Sequence, residues 1–204
     1  MNWRQVAFIG ASAFVLAACS IGRPMTQATT YIVDPPIEVR LPPGPRPPEA
    51  LRVGSVRVAA TYAGSALVYR LDDVRYVTDP YNAFVADSGA MLGSRMAEWL
   101  DRSGPFSTVA LPGSAQPAPY VLEATVDELY GDFRAGRPPA AVLSVQFALI
   151  DQAGVRPKLV YERTIASRVN LPKASPDALV RGYGTALAEI LSQVAVDLGG
   201  QSAH

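Results

Sequence analysis

The residues whose types could do chemistry are few: adjacent carboxylates at Asp72 and Asp73, a second acidic pair at Glu123 and Asp127, one cysteine at Cys19 and one histidine at His204. Paired carboxylates work as general acid and base, or as acid and nucleophile, only when roughly 5 to 9.5 Å apart and facing one substrate. Asp72 and Asp73 sit between two apolar alternating runs, where neighbouring side chains point apart and aspartate is favoured simply because it makes turns. Glu123 and Asp127 fall four apart on the wet face of an alternating segment, about 13 Å apart at strand rise. The first pair therefore reads as turn residues and the second as solvated. His204 belongs to a C-terminal tail, where it has no nucleophile to activate. A lone cysteine and a lone histidine provide neither a metal set nor an internal disulfide. No Gly-rich phosphate loop of the form GxxxxGK[ST] occurs, so nucleotide hydrolysis is not expected of this chain. These residues predict a protein that is not an enzyme and carries no cofactor or metal.

Cys19 needs another chemistry, and its neighbours supply one. Met1 to Gln5 carries Arg4 as its only charged side chain, and Val6 to Ala18 is an unbroken apolar or small-residue run of 13. A membrane span takes roughly 20 such residues. The run instead has the length and flanks of a signal-peptide core. Leu16, Ala17, Ala18 and Cys19 match the bacterial lipobox pattern, in which small residues admit the peptidase and the thiol is acylated. The plainer alternatives are an ordinary secretory signal with an incidental cysteine, or a buried structural thiol. On the lipobox reading, residues 1–18 are a signal peptide, Cys19 carries fatty acyl groups such as palmitate, and residues 19–30 form a tether. Each buried methylene contributes about 0.8 kcal/mol, so a multiply acylated cysteine anchors permanently. Ser20, rather than an aspartate after the cysteine, predicts sorting to the outer membrane with the body on the periplasmic side.

The elements that would carry the remaining residues follow from composition and periodicity. With 49% hydrophobic and 18% charged residues and a formal net charge of zero, the chain has material for a sizeable core and no basic block of the kind nucleic acid selects. Residues 31–204 are expected to form a single domain. Seven prolines between Pro35 and Pro48 exclude helix and central strand there and favour an extended segment. If "YIV" at 31–33 joins the sheet, that segment is a surface excursion of the domain.

"LRVGSVRVA" changes alternation parity across Gly54, which predicts a bulge. "ALVYRL" and "VRYVT" form a hairpin around Asp72–Asp73, with Leu67, Tyr69, Leu71, Val74 and Tyr76 at its apolar positions. A helix capped by Asp87 or Ser88 places Leu92, Met96, Trp99 and Leu100 on one stripe and ends at Gly104–Pro105. "PYVLEATVDELYGDF", "AAVLSVQFALID" and "KLVYERTIASRV" read as three strands, the last two joined through a turn at Gly154. A closing helix begins with Ser175 as cap and Pro176 at its first position. It presents Leu179, Val180, Tyr183, Leu187, Ile190, Leu191, Val194 and Leu198 as a stripe, and is expected to stop at Gly199–Gly200. The class is α+β, an antiparallel sheet with two helices packed on one face.

In this order of elements, from "TTYIVD" through "LRVGSVRVA", "LVYRLDDVRYV" and "LGSRMAEWL" to the last helix, the chain resembles the ABC-type transport auxiliary lipoproteins. These are the PqiC-like group that accompanies MCE-domain lipid transport systems. The resemblance implies a non-catalytic accessory at the outer membrane, with an inner-membrane ATPase and permease driving transport and an MCE-domain protein as the partner. Where that family carries a Trp-Ala step before its first helix, this chain has "YNAF", which assigns that packing to Tyr81 and Phe84.

Two other classes compete with this reading. One is a structural assembly lipoprotein for an outer-membrane barrel or secretion channel, and the other a hydrolase with an unrecognised site. Homo-oligomerisation is left open. Tyr69, Arg70, Tyr76, Tyr81 and Phe84 form the candidate partner surface, since tyrosine and arginine are enriched at interface hot spots. Against that, Tyr69 and Tyr76 could be cross-strand neighbours within the core.

Overall fold

A computed structural model of the chain describes residues 28–37, 50–103 and 106–201. Cys19, His204 and most of the proline-rich segment lie outside the described residues. Among those described, the strands are β1 (Thr29–Tyr31), β2 (Ala50–Val58), β3 (Ala66–Arg70), β4 (Tyr76–Phe84), β5 (Thr108–Ala110), β6 (Tyr120–Asp132), β7 (Ala140–Asp151) and β8 (Lys158–Asn170). The helices are α1 (Ser88–Ser103) and α2 (Pro176–Gln201).

The fold is α+β, but the sheet is mixed rather than antiparallel. Four of its pairings are parallel: β1 with β4, β2 with β5, β2 with β6, and β3 with β6. The β3–β4 hairpin and the long β6–β7 and β7–β8 pairs are antiparallel. Parallel neighbours need a crossover connection, and the chain provides one where α1 carries it from the early strands to β5, laid alongside β2. Alternation within one strand says nothing about its partner's direction, so sequence periodicity could not reveal this.

The organising strand is β6. One edge pairs along its full length with β7, while the other is shared end to end by β2, against Tyr120–Val126, and β3, against Gly131 and Asp132. The expected bulge at Gly54 appears as a register shift between Val53 and Val56. A second shift, between Val126 and Glu128, falls on Asp127. It interrupts the plain alternation on which the Glu123–Asp127 spacing was drawn. Asp127 is exposed, and Glu123 lies 3.8 Å from Arg57.

Both helices start where side chains satisfy their orphan N–H groups. Asp87 Oδ1 accepts from the N–H groups of Gly89 at 3.0 Å and Ala90 at 3.3 Å. Ser175 Oγ accepts from Ala178 at 3.4 Å, with Pro176 at the first position and Asp177 at the positive helix end. Contrary to expectation, Gly199 and Gly200 do not stop α2, which runs to Gln201.

The predicted stripes of both helices are buried. They form one core with the sheet face carrying Leu122, Ala124, Val126, Leu143, Val145 and Phe147. Two close approaches on α2 require glycine. A Cβ on Gly182 would lie 2.8 Å from the Ala141 methyl, and one on Gly184 would lie 2.6 Å from the Asp34 carbonyl oxygen.

The second approach fixes the segment after β1. Val33 is fully buried, and the Trp99 indole N–H donates to the Pro36 carbonyl at 3.1 Å, strapping residues 32–37 across the helices. The proline-rich stretch connects β1 and β2, two strands of the same sheet.

Candidate functional site

At one end of the sheet the β3–β4 hairpin and the last residues of β6 and β8 converge on the face away from the helices. Register places them there. Arg70 pairs with Tyr76 across the hairpin and with Asp132 on β6, while Tyr130 and Val142 are partners, as are Val142 and Arg168. The face is helix-free at this end because Gly131 and Ala141, the alternate positions, turn toward Leu179 and Gly182 of α2.

Three tyrosines cover it. The Tyr76 and Tyr130 rings meet edge to face at 5.5 Å, Tyr62 stacks on Tyr130 at 5.8 Å, and Tyr62 and Tyr76 are 6.2 Å apart. Such geometries add to the stabilisation that area burial gives. Burial pushes the Tyr62 and Tyr130 hydroxyls above the ordinary tyrosine range, so both stay neutral. Arg70 lies over the Tyr76 ring, 5.6 Å from its centroid. Its Nε and Nη2 donate to the carbonyls of Asp72 and Asp73, each at 3.1 Å, which ties the turn to the strand.

Beside the tyrosines lies an ion network. The fully buried Asp132 carboxylate accepts from Arg134 Nε and Nη2 and from Arg168 Nη1, each at 2.8 Å. Hydrogen bonds from Arg134 first, then Arg168, outweigh the desolvation penalty and hold Asp132 well below the usual carboxylate range. Arg134 reaches back through Nη1 to Asp73 at 2.9 Å. The turn between, Leu71–Arg75, is shaped by Asp72 Oδ1, which accepts from the N–H groups of Val74 at 3.0 Å and Arg75 at 2.7 Å. It lifts Val74 into solvent at 90% exposure.

Asp72 and Asp73 thus have structural partners and do not converge on a shared point. Among the described residues, no group of three or more His, Cys, Asp or Glu could hold a metal. The arrangement is a fixed, neutral-to-cationic surface suited to contact.

Of the five residues proposed from sequence, only Arg70 and Tyr76 meet. Tyr69 pairs with Val77, not Tyr76, and lies on the opposite face. There it stacks on Phe133 at 5.0 Å and donates to Asp79 Oδ2 at 2.6 Å. The alternative that made Tyr69 and Tyr76 neighbours therefore fails on register. Phe84 is 3% exposed and packs against Tyr183 in the core. Tyr81, assigned to the same packing, is 51% exposed instead. It sits in the excursion Asp79–Asn82, whose four residues oppose only Leu67 of β3.

Tyr62, Tyr130, Asp132, Arg134 and Arg168 were not singled out from sequence. A signal existed in β6, where the apolar positions switch from even (Leu122, Ala124, Val126) to odd (Leu129) numbers. That switch marks the bulge that turns Tyr130 and Asp132 onto the helix-free face.

Residues 31–195 match the family described as the ABC-type transport auxiliary lipoprotein component. No curated protein matches the chain. Among solved structures, it is similar to a DUF330 protein from Xanthomonas campestris, at 17% identity and a TM-score of 0.69, covering 87% of this chain and 96% of that one. It is also similar to an uncharacterized protein at 20% identity and a TM-score of 0.65, covering 84% of this chain and 99% of that one. These likenesses establish the fold. The family match spans nearly the whole folded body, from the end of β1 to the last turns of α2, and by it the chain belongs to the ABC-type transport auxiliary lipoprotein family.

Proposed function

We propose that this protein is a non-catalytic accessory of an ABC/MCE lipid transport system. Acylated Cys19 anchors it on the periplasmic side of the outer membrane, and its folded body docks the periplasmic part of an MCE-domain partner. The observation that carries this reading is the family match over residues 31–195, which starts shortly after the lipobox cysteine.

The helix-free end of the sheet supports a docking role. Its aromatic and guanidinium groups are already oriented by one another, so little side-chain entropy remains to be lost on contact. The exposed Val74 and Arg75 at the hairpin tip stand above them. Tyr62, Tyr130 and Asp132 hold this surface from beneath. A non-catalytic role fits the engagement of Asp132 by two guanidinium groups, which leaves that carboxylate no free proton chemistry.

The test is capture of the purified MCE periplasmic domain by residues 20–204 lacking the signal and the acyl group. Binding is expected to persist without lipid. Val74→Glu and Arg70→Gln should each weaken it at least tenfold, whereas Thr164→Glu on exposed β8 should leave it unchanged. Capture that requires the acyl chains, or that ignores both hairpin substitutions, refutes the docking surface. Capture of a barrel or secretion-channel component in place of the MCE protein moves the chain to the assembly class.

A further inference from the structure

We propose that the β1–β4 rim of the sheet, carrying Tyr81, Ile32 and Val85, is a bilayer-contacting face that sets how the anchored protein stands on its membrane. This rests on acylation of Cys19 and not on the identity of the transport partner. Three large apolar or amphipathic side chains are exposed along this rim: Ile32 at 47%, Tyr81 at 51% and Val85 at 59%.

Register brings them together. Tyr31 pairs with Phe84, and the Val85 N–H donates to the Tyr31 carbonyl at 2.8 Å, so Ile32 and Val85 are neighbours just past the pairing. Tyr81 lies four residues back along the chain, within about 13 Å at strand rise.

The occupant follows from where the chain enters. Thr29 pairs with Asn82, so residue 28 arrives beside Tyr81. Eight residues of chain lie between Cys19 and residue 28, a reach of at most about 30 Å when fully extended. Of the exposed hydrophobic side chains, Tyr81 is therefore the one beside which the tether arrives. Tethering on that scale raises the local concentration of bilayer around the rim, so even a weak contact is populated. Tyrosine is also suited to the boundary, with its ring in the apolar layer and its hydroxyl in the headgroups.

Tyr81 is held as a fixed prong. Asp79 Oδ1 accepts from the N–H groups of Tyr81 at 2.8 Å and Asn82 at 2.9 Å, and its Oδ2 accepts from Tyr69 Oη at 2.6 Å and Asn82 Nδ2 at 2.9 Å. The Tyr31 hydroxyl donates to Asn82 Oδ1 at 3.2 Å, binding the prong to the entry strand. Burial alone would raise the Asp79 carboxyl. The hydrogen bonds from Tyr69, Tyr81 and Asn82 overcome it and keep the group ionised. The exposed acids nearest along the chain are Asp34 and Asp87, two residues beyond Ile32 and Val85 respectively. Docking by this rim is therefore apolar in character and does not require anionic lipid.

The experiment uses the full acylated protein in phosphatidylcholine vesicles whose acyl chains carry bromine just below the glycerol backbone. Tryptophan is placed by Tyr81→Trp or Val85→Trp, with Val155→Trp as control and the wild-type signal of Trp99 subtracted. Val155 is fully exposed in the β7–β8 turn, at the far end of β6 from the hairpin and across the sheet from β1. Acylation of Cys19 is read separately by the mass of its peptide. The expected result is at least twofold quenching for both rim reporters and none at position 155.

Unquenched rim reporters on protein shown to be acylated overturn the proposal, and the anchoring reading then survives alone. Quenching equal at all three positions means unoriented association and overturns it too. Unquenched reporters combined with loss of MCE capture in Tyr81→Asp would assign the rim to the protein partner instead. An unmodified Cys19 removes both the anchor and the inference.

Discussion

Asp132→Asn is the substitution whose effect the structure specifies most closely. The carboxylate is fully buried and accepts three charge-assisted hydrogen bonds at 2.8 Å from two arginines. Breaking a buried ion pair from one side is worth about 3 to 5 kcal/mol. Two features place this site at the low end. Arg134 keeps Asp73 as a partner at 2.9 Å, and Arg168, 42% exposed, can turn to water. The expected loss is therefore about 3 kcal/mol, which for a domain of this size lowers Tm by about 6 to 12 °C.

The pH dependence carries the sign. Asp132 is depressed in the folded state, so its stabilisation is fully present above the unfolded carboxyl value of about 3.9 and is lost as pH falls toward the lower folded value. Urea unfolding of wild type and variant should show the full gap at pH 7, shrinking by about 1.4 kcal/mol for each pH unit below about 3.9. Every other carboxylate titrates in both proteins, so the difference isolates this one. A gap under about 0.5 kcal/mol at pH 7, or one that does not shrink between pH 4 and pH 2.5, would refute the assignment of Asp132 as the ionised centre of the network.

Cys19→Ser should abolish incorporation of labelled fatty acid and remove the protein from the outer-membrane fraction; equal labelling of both forms would end the lipoprotein reading. Gly184→Ala should destabilise by about 1 kcal/mol, because a clash with the Asp34 carbonyl at 2.6 Å outweighs the better helix propensity of alanine. Thermal melts read the loss, hydrogen exchange should rise in residues 31–37, and a more stable variant would contradict the close approach.

What sequence made legible was local. Ser175-Pro176-Asp177 announces a helix start, Asp72–Asp73 a turn, and the stripes of both helices are written in their spacing, because each signal lies within a few residues of its effect. The parallel pairing of β2 and β3 to β6 is not local. Which strand lies beside which, and in which direction, is decided by segments far apart in the chain. β5, at three residues, is below the length at which alternation is visible.

The candidate surface was legible only where it is local, at Arg70 and Tyr76 of one hairpin. Tyr62, Arg70, Tyr76, Asp132 and Arg168 come from separate segments that meet only through register, while Tyr69, adjacent to Arg70 in sequence, faces the other side of the sheet. Phe84 reads as an aromatic on a hairpin, and only the approach of Tyr183 from α2 shows it to be core.

The sharing of one β6 edge by two strands fixes an order of events during synthesis. β2 and β3 are synthesised well before Tyr120–Asp132, and their common template does not exist until that segment is made. Until then the N-terminal half presents β-prone segments without their final neighbours, the condition in which chains associate wrongly. A fragment ending before Tyr120 has lost the seam that joins β2 to β3. The first half consequently has to be kept from self-association until the C-terminal strands have been made.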